Sequence, residues 1–108
     1  MTMQVLVSTM NQTDYSLLKK MNIQTDAVVV NQSDRNDIDF FQYNDHSIVW
    51  VSMTGRGVGL SRNTCLMHAK ADIVLFADDD IVYEEGYADE VLASFKKNPD
   101  ADVVCFNI

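Results

Sequence analysis

Five apolar runs recur along the chain, each closed by polar or turn-forming residues: MQVLVST (3–9), DAVVVNQ (26–32), SIVWVSM (47–53), DIVLFA (72–77) and DVVCFNI (102–108). Their apolar residues are continuous rather than alternating, which predicts strands covered on both faces, as in a parallel sheet. Helical patterns lie between them. In DYSLLKKM (14–21), Leu17, Leu18 and Met21 form a short apolar stripe, and Asp14 can cap the first turn. In VGLSRNTCLMHAK (58–70), Val58, Cys65, Leu66 and Ala69 are expected on one face. In YADEVLASFKKN (87–98), Tyr87, Val91, Leu92 and Phe95 share a face, acids lead and lysines trail, and Pro99 stops the helix. The polar segment SDRNDIDFFQYNDH (33–46) reads as a loop or hairpin with Asn44-Asp45 at its turn. No repeat, low-complexity tract or linker interrupts this order. Residues 1–108 are therefore expected to form one α/β layered domain, a mainly parallel sheet flanked by helices.

In such sheets ligands bind outside the carboxyl ends of the strands, so the residues following each strand are the candidates for function. The first strand is followed by Ser8, Thr9 and Asn11, and the second by Asn31, Gln32, Ser33 and Asp34. Residues of these types are also ordinary turn and cap formers. After the third run, Gly55, Gly57 and Gly59 give G-x-G-x-G. Leu60 stands where the dinucleotide fingerprint needs its last glycine, and no Walker lysine follows. Arg62 falls in the first turns of the next helix, where a cation opposes the helix dipole, and its spacing from Val58 and Leu66 puts it beside the apolar stripe. An arginine there suits an anion, or else an internal salt bridge to a nearby aspartate.

Charge sharpens the picture. The net charge of −8 lacks the basic footprint of nucleic-acid binding, and it opposes an anionic substrate unless a cation intervenes. Asp78, Asp79 and Asp80 close the fourth run, and three adjacent carboxylates cannot all ionise at close range without a counter-charge, a pKa shift or a splay into solvent. A divalent cation resolves the conflict, since hard oxygen ligands suit Mg²⁺ or Mn²⁺ and such ions recruit phosphates to complete their shell. Alternation along an extended turn points Asp78 and Asp80 one way and Asp79 the other, so Asp80 and Asp78 are the metal candidates. Helix capping accounts for the triplet poorly, because the next helical pattern starts only at Tyr87. An EF-hand is excluded by Val82 and Tyr83, and a response-regulator receiver by the absence of an acidic pair after the first strand. His46 and His68 fall outside the expected crevice turns and read as structural or surface residues, and Cys65 and Cys105 as reduced core residues. The start, MTMQVLVSTM, lacks a basic n-region and no stretch approaches a membrane span, so the expected location is cytoplasmic.

The stretches VLVSTMNQ, AVVVNQSD and above all GRGVGLSRNTCLMHAKADIVLFADDDIVYEEGY resemble the N-terminal, nucleotide-sugar-binding portion of a family 2 glycosyltransferase. The specific part is a glycine turn, Arg-Asn opening a helix, a short strand and a D-x-D motif. The resemblance implies a Rossmann-like GT-A fold of which this chain is the first part, with the catalytic base and acceptor site beyond Ile108. It implies a metal-dependent, inverting transfer of a sugar from a nucleotide-diphosphate donor to a glycan or lipid-linked acceptor. Carried over by position, Thr9, Asn11, Asn31, Gln32, Asp34, Arg62, Asp78 and Asp79 would line the nucleotide-sugar site, and Asp78 and Asp80 would hold the Mn²⁺ or Mg²⁺. The family often has an aspartate where this chain has Asn31-Gln32. The full-length protein would remain compatible with peripheral membrane association. Two rivals stay open on the residues alone. One is a non-catalytic acidic α/β module that binds a cation or partner; the other is a nucleotidyltransferase, which would want a Gly-rich, basic first turn where this chain has STMNQTD.

Overall fold

The computed structural model describes residues 3–55, 57–71, 73–79, 82–86, 89 and 93, with the backbone alone for Val58, Arg62 and Asp78. Its elements run β1 (Met3–Met10), α1 (Leu17–Lys20), β2 (Asp26–Gln32), β3 (Asp37–Tyr43), β4 (His46–Met53), α2 (Val58–His68) and β5 (Ile73–Asp78). The strands form one sheet in the order β3-β4-β2-β1-β5. β4, β2, β1 and β5 are mutually parallel, and β3 is antiparallel to β4 at the edge. The mainly parallel α/β sheet expected from the apolar runs is the one observed.

The continuous runs are explained by cover on both faces. Val5, Val7, Ala27, Val29, Ile48 and Trp50 face the α1 side, where Leu17, Leu18, Met21 and Ile23 pack on them. The alternate residues Leu6, Val28, Val30 and Val51 face the α2 side and meet Cys65. Each fully buried Val or Leu contributes about 1.5–3 kcal/mol of transfer free energy, so these central strands dominate the stability of the sheet.

Several boundaries differ from the sequence reading, each for a local reason. Of the two forms expected for the segment 33–46, loop or hairpin, the structure shows the hairpin: 37–43 is strand β3, joined to β4 through Asn44 and Asp45 at φ 48° and 65°. Positive φ at both central residues is what a two-residue type I′ hairpin turn demands, and Asn and Asp tolerate it best after glycine. α1 is a single turn, because Asp14 lies ahead of it and accepts the Ser16 backbone N–H at 3.0 Å. The Ser16 side chain first, and then this backbone N–H, hold the Asp14 carboxyl below its usual value. Asn22, at φ 56°, ends the helix, with Ile23 N–H donating to Leu18 C=O and Asn22 N–H to Lys19 C=O. This is a Schellman termination with asparagine in the left-handed position.

In α2 the row facing the sheet is Ser61 and Cys65, an i, i+4 pair, at 1% and 0% exposure. Leu66, expected on the buried face, is 48% exposed, because it lies about 100° further round the helix. β5 is shifted by one residue from 72–77 to 73–78, so Asp78 is strand backbone paired with Ser8. Asp89 and Ala93 are helical, while the rest of the helix expected over 87–98 and the strand over 102–108 lie outside the described residues.

Gly57, at the N-cap of α2, has φ 120° and ψ 143°. That region is essentially reserved to glycine, and a Cβ there would meet no atom within 4 Å, so any substitution cost is backbone strain alone. Gly57→Ala is expected to destabilise the fold by about 1–3 kcal/mol in urea denaturation. An unchanged midpoint would show that the turn relaxes freely.

Candidate functional site

Strands β2 and β4 lie to one side of β1 and β5 to the other. The chain therefore reverses direction across the sheet beside β1, and the carboxyl ends of β1 and β5 flank that switch point. In open α/β sheets this is where ligands bind. The register fixes what meets there: Ser8 pairs with Asp78 on β5 and Thr9 pairs with Asn31 on β2, while Asn31 in turn pairs with Ser52 on β4.

Side chains complete the crossing. Thr9, 6% exposed, donates its hydroxyl to Asp79 Oδ2 at 2.8 Å. Gln12 Nε2 donates to the same Thr9 oxygen at 3.0 Å. Asn31, 2% exposed, accepts the Gln12 backbone N–H on Oδ1 and donates Nδ2 to the Gln12 C=O, both at 3.0 Å. A buried amide thus serves residue 12 as a strand neighbour would, satisfying its donor and acceptor together. Gln32, also buried, donates Nε2 to the Gly57 C=O at 2.9 Å and so ties the end of β2 to the glycine turn before α2. Asn11 N–H to Gln32 C=O and Ser33 N–H to Met53 C=O, each 2.8 Å, extend strand-like pairing past the strand ends.

The residues expected at the site therefore divide. Thr9, Asn31 and Gln32 are buried at the crevice floor with their polar groups engaged by neighbours, whereas Asn11, Asp34 and Asp79 are exposed at its rim. Asn11 takes φ 55°. The Arg62 and Asp78 side chains and all of Asp80 lie outside the described residues. Gln12 had no role assigned from sequence. Nothing in STMNQTD marks which polar residue turns inward, and only the contact with Asn31, nineteen positions away, singles it out.

The acidic turn is also anchored downstream. Tyr83 N–H donates to Met21 C=O at 2.9 Å, Asn22 Nδ2 to Tyr83 C=O at 2.9 Å, and Gln24 Nε2 to Glu84 C=O at 2.9 Å, while Gly86 N–H donates to Gln24 Oε1 at 3.0 Å. The loop before α1 is fixed too: Tyr15 packs at a tilt on Phe41 of β3 and meets Trp50 of β4 edge-on, and its hydroxyl donates to Asp39, which holds the phenol above its usual value.

Among the described residues, the imidazoles are kept away from this edge and the thiol is buried beneath it. His46 opens β4 and lies 3.9 Å from Asp26, and His68 borders a groove of about 720 Å³ together with Gln4, Asp26, Phe40 and Met67, at the amino ends of the strands. Among the described residues, no cluster of three or more His, Cys, Asp or Glu side chains could hold a metal. Cys65 is free and buried against β1, with Sγ 3.5 Å from the Val7 C=O. Burial pushes its thiol up to about 11 from an ordinary 9.0, against a smaller lowering by Ser8.

A thiol raised in the folded state contributes stability that is complete below the unfolded value and lost as pH rises through the folded one. Between about pH 9 and 11 this single group is expected to remove about 2–3 kcal/mol of stability. Urea denaturation at the two ends of that window, on the wild type and on Cys65→Ala, isolates the contribution. The alanine variant should show the shallower decline, and equal slopes would assign the loss to other groups.

The sequence model of the family described as "Glycosyl transferase family 2" matches residues 28–108. No curated protein and no solved structure matches the chain. The family match takes in β2 from Val28 onward, β3 to β5 and the acidic triplet, more than half of the 108 residues, and the chain belongs to glycosyl transferase family 2.

Proposed function

We propose that this chain is the donor-binding portion of a metal-dependent, inverting glycosyltransferase that takes a sugar from a nucleoside-diphosphate donor. The observation that carries this is the Thr9–Asp79 bond, which joins the acidic turn to β1 at the switch point of the sheet. The donor set supports a hard cation. Among the described residues, the polar side chains at the carboxyl-end crevice are hydroxyls, carboxylates and amides, with the histidines at the opposite edge and Cys65 buried, a donor set that suits Mg²⁺ or Mn²⁺ better than zinc.

Asp78 and Asp80 are the residues we assign to the ion, and Arg62 to the diphosphate, where a planar guanidinium can engage two oxygens together. Asn11 and Asp34, exposed at the rim, would meet the nucleoside beside Thr9. Asn31 and Gln32 act on the donor through the backbone they hold in place. A bound divalent ion would supply charge stabilisation of the departing nucleoside diphosphate. The chain's acidity then ceases to oppose an anionic donor, because its carboxylates meet phosphate only through the cation. The base that deprotonates the acceptor hydroxyl, on a glycan or lipid-linked acceptor, is assigned to a segment beyond Ile108. Among the described residues no helix is long and apolar enough to cross a membrane.

Isothermal titration of the chain with a panel of nucleoside diphosphates, with Mn²⁺ and with EDTA, tests the reading. Binding of a diphosphate only in the presence of Mn²⁺ is expected. Cation binding with no dependence on any nucleotide would instead favour a non-catalytic module, and preference for a triphosphate a nucleotidyltransferase.

A further inference from the structure

We propose that Asp79, the middle carboxylate of the triplet, is a positioning residue and not a ligand, and that a relay from Asn31 through Gln12 and Thr9 sets its orientation. The proposal rests on the donor-site reading above and deepens it. Thr9 has a single hydroxyl proton. Because its oxygen already accepts from Gln12 Nε2, that proton is directed to Asp79 Oδ2 at 2.8 Å. Gln12 is in turn held at both its backbone N–H and its C=O by the Asn31 amide, which is buried in the floor of the sheet. Four residues on β1, β2, the loop between them and the turn after β5 thus form one connected network, reciprocal between Asn31 and Gln12 and directed from Gln12 Nε2 through Thr9 to the Asp79 carboxylate.

The consequence is geometric. β5 ends at Asp78, so the turn starts from a residue registered on Ser8, and Asp79 is fastened one step later to Thr9. Five residues downstream of Asp78 the chain is fastened again, by Tyr83 N–H on Met21 C=O. The chain is thus fastened to β1 at Asp79 and to the end of α1 at Tyr83, which is why we give the cation to the carboxylates of 78 and 80 and not to that of 79. Turning the middle acid onto β1 also lowers the repulsion within the triplet by giving one member a hydrogen-bond donor of its own.

The test is Mn²⁺ binding by the 108-residue chain, read as free Mn²⁺ by electron paramagnetic resonance, with amide hydrogen exchange as the metal-free readout. Thr9→Val, which keeps the shape and removes the donor, is expected to weaken Mn²⁺ by about 10–100-fold, the usual effect of losing a partner that orients a metal site. It should speed exchange at the end of β5 and leave the β2–β4 amides unchanged. Thr9→Ser should restore both properties, which a purely packing role for the threonine methyl would not allow. Asp79→Asn, which retains an acceptor oxygen, should stay close to wild type, whereas Asp80→Asn should lose binding.

Loss of binding in Asp79→Asn equal to that in Asp80→Asn would make Asp79 a ligand and overturn the proposal. So would Thr9→Val with unchanged affinity and exchange. Absence of Mn²⁺ binding in the wild type would instead sink the donor-site reading itself, and the positioning role with it. Thermal unfolding of each variant by circular dichroism identifies any that fail to fold. In that case Gln12→Ala, at a half-buried position, carries the same expectation as Thr9→Val.

Discussion

Asn31→Leu is expected to destabilise the fold by about 2–4 kcal/mol, although leucine has the branched shape of asparagine, with methyl groups in place of the amide oxygen and nitrogen, and suits a buried strand. The cost arises from what the side chain serves. Its amide is the partner of the Gln12 backbone N–H and C=O, and an apolar replacement leaves both without that partner. A buried polar group stripped of its hydrogen bond costs about 1–3 kcal/mol, and residue 12 is half-buried, so water recovers part of the loss and the sum falls below the maximum. Against a total stability of order 5–15 kcal/mol this is a large fraction, and a urea midpoint measures it directly. The same variant frees Gln12 from its position beside Thr9. A change smaller than about 0.5 kcal/mol would mean that Gln12 finds other partners at once.

Asp80→Ala is expected to abolish Mn²⁺-dependent nucleotide binding, by at least about 100-fold, with little effect on folding. On the proposed reading, removing Asp80 would leave the ion short of an anionic oxygen, and without the ion an acidic crevice would repel the diphosphate. Both steps act in the same direction, which is why this is the largest functional effect anticipated for any single substitution here. Titration with each nucleoside diphosphate, in Mn²⁺ and in EDTA, distinguishes loss of the metal from loss of the nucleotide contact. Retained Mn²⁺-dependent binding in Asp80→Ala would move the metal site off the triplet.

The scaffold of the site was legible because parallel strands in a layered sheet are apolar on both faces. Val5-Leu6-Val7 and Ala27-Val28-Val29-Val30 could not be half-solvated strands, and their alternate residues indeed pack on α1 and α2 respectively. The hairpin was less legible. DIDFFQY alternates weakly and carries two acids, as a solvent-facing edge strand does, so its polarity resembled that of a loop. Asn44-Asp45 was nonetheless readable as the turn, because positive φ at two successive residues is tolerated by few side chains. Within α2 the pattern misplaced Leu66, since apolar character alone does not say which side of a short helix meets the sheet, and the small residues Ser61 and Cys65 allow the closer approach.

The sequence by itself determined the class of fold and the end of the sheet at which chemistry belongs. It also raised the expectation that three adjacent carboxylates in a chain of net charge −8 call for a cation, since strand composition and charge repulsion are local properties. Only the tertiary structure decided how the candidates divide. Asn31 and Gln32 are floor residues that hold Gln12 and the Gly57 turn, and Thr9 is the hydroxyl that joins β1 to Asp79. The physical reason is that a polar side chain's role depends on which donors and acceptors lie within about 3 Å of it, and strand order and register bring those groups together from distant parts of the chain. No periodicity in the sequence records that Thr9 and Asp79, seventy residues apart, share a hydrogen bond.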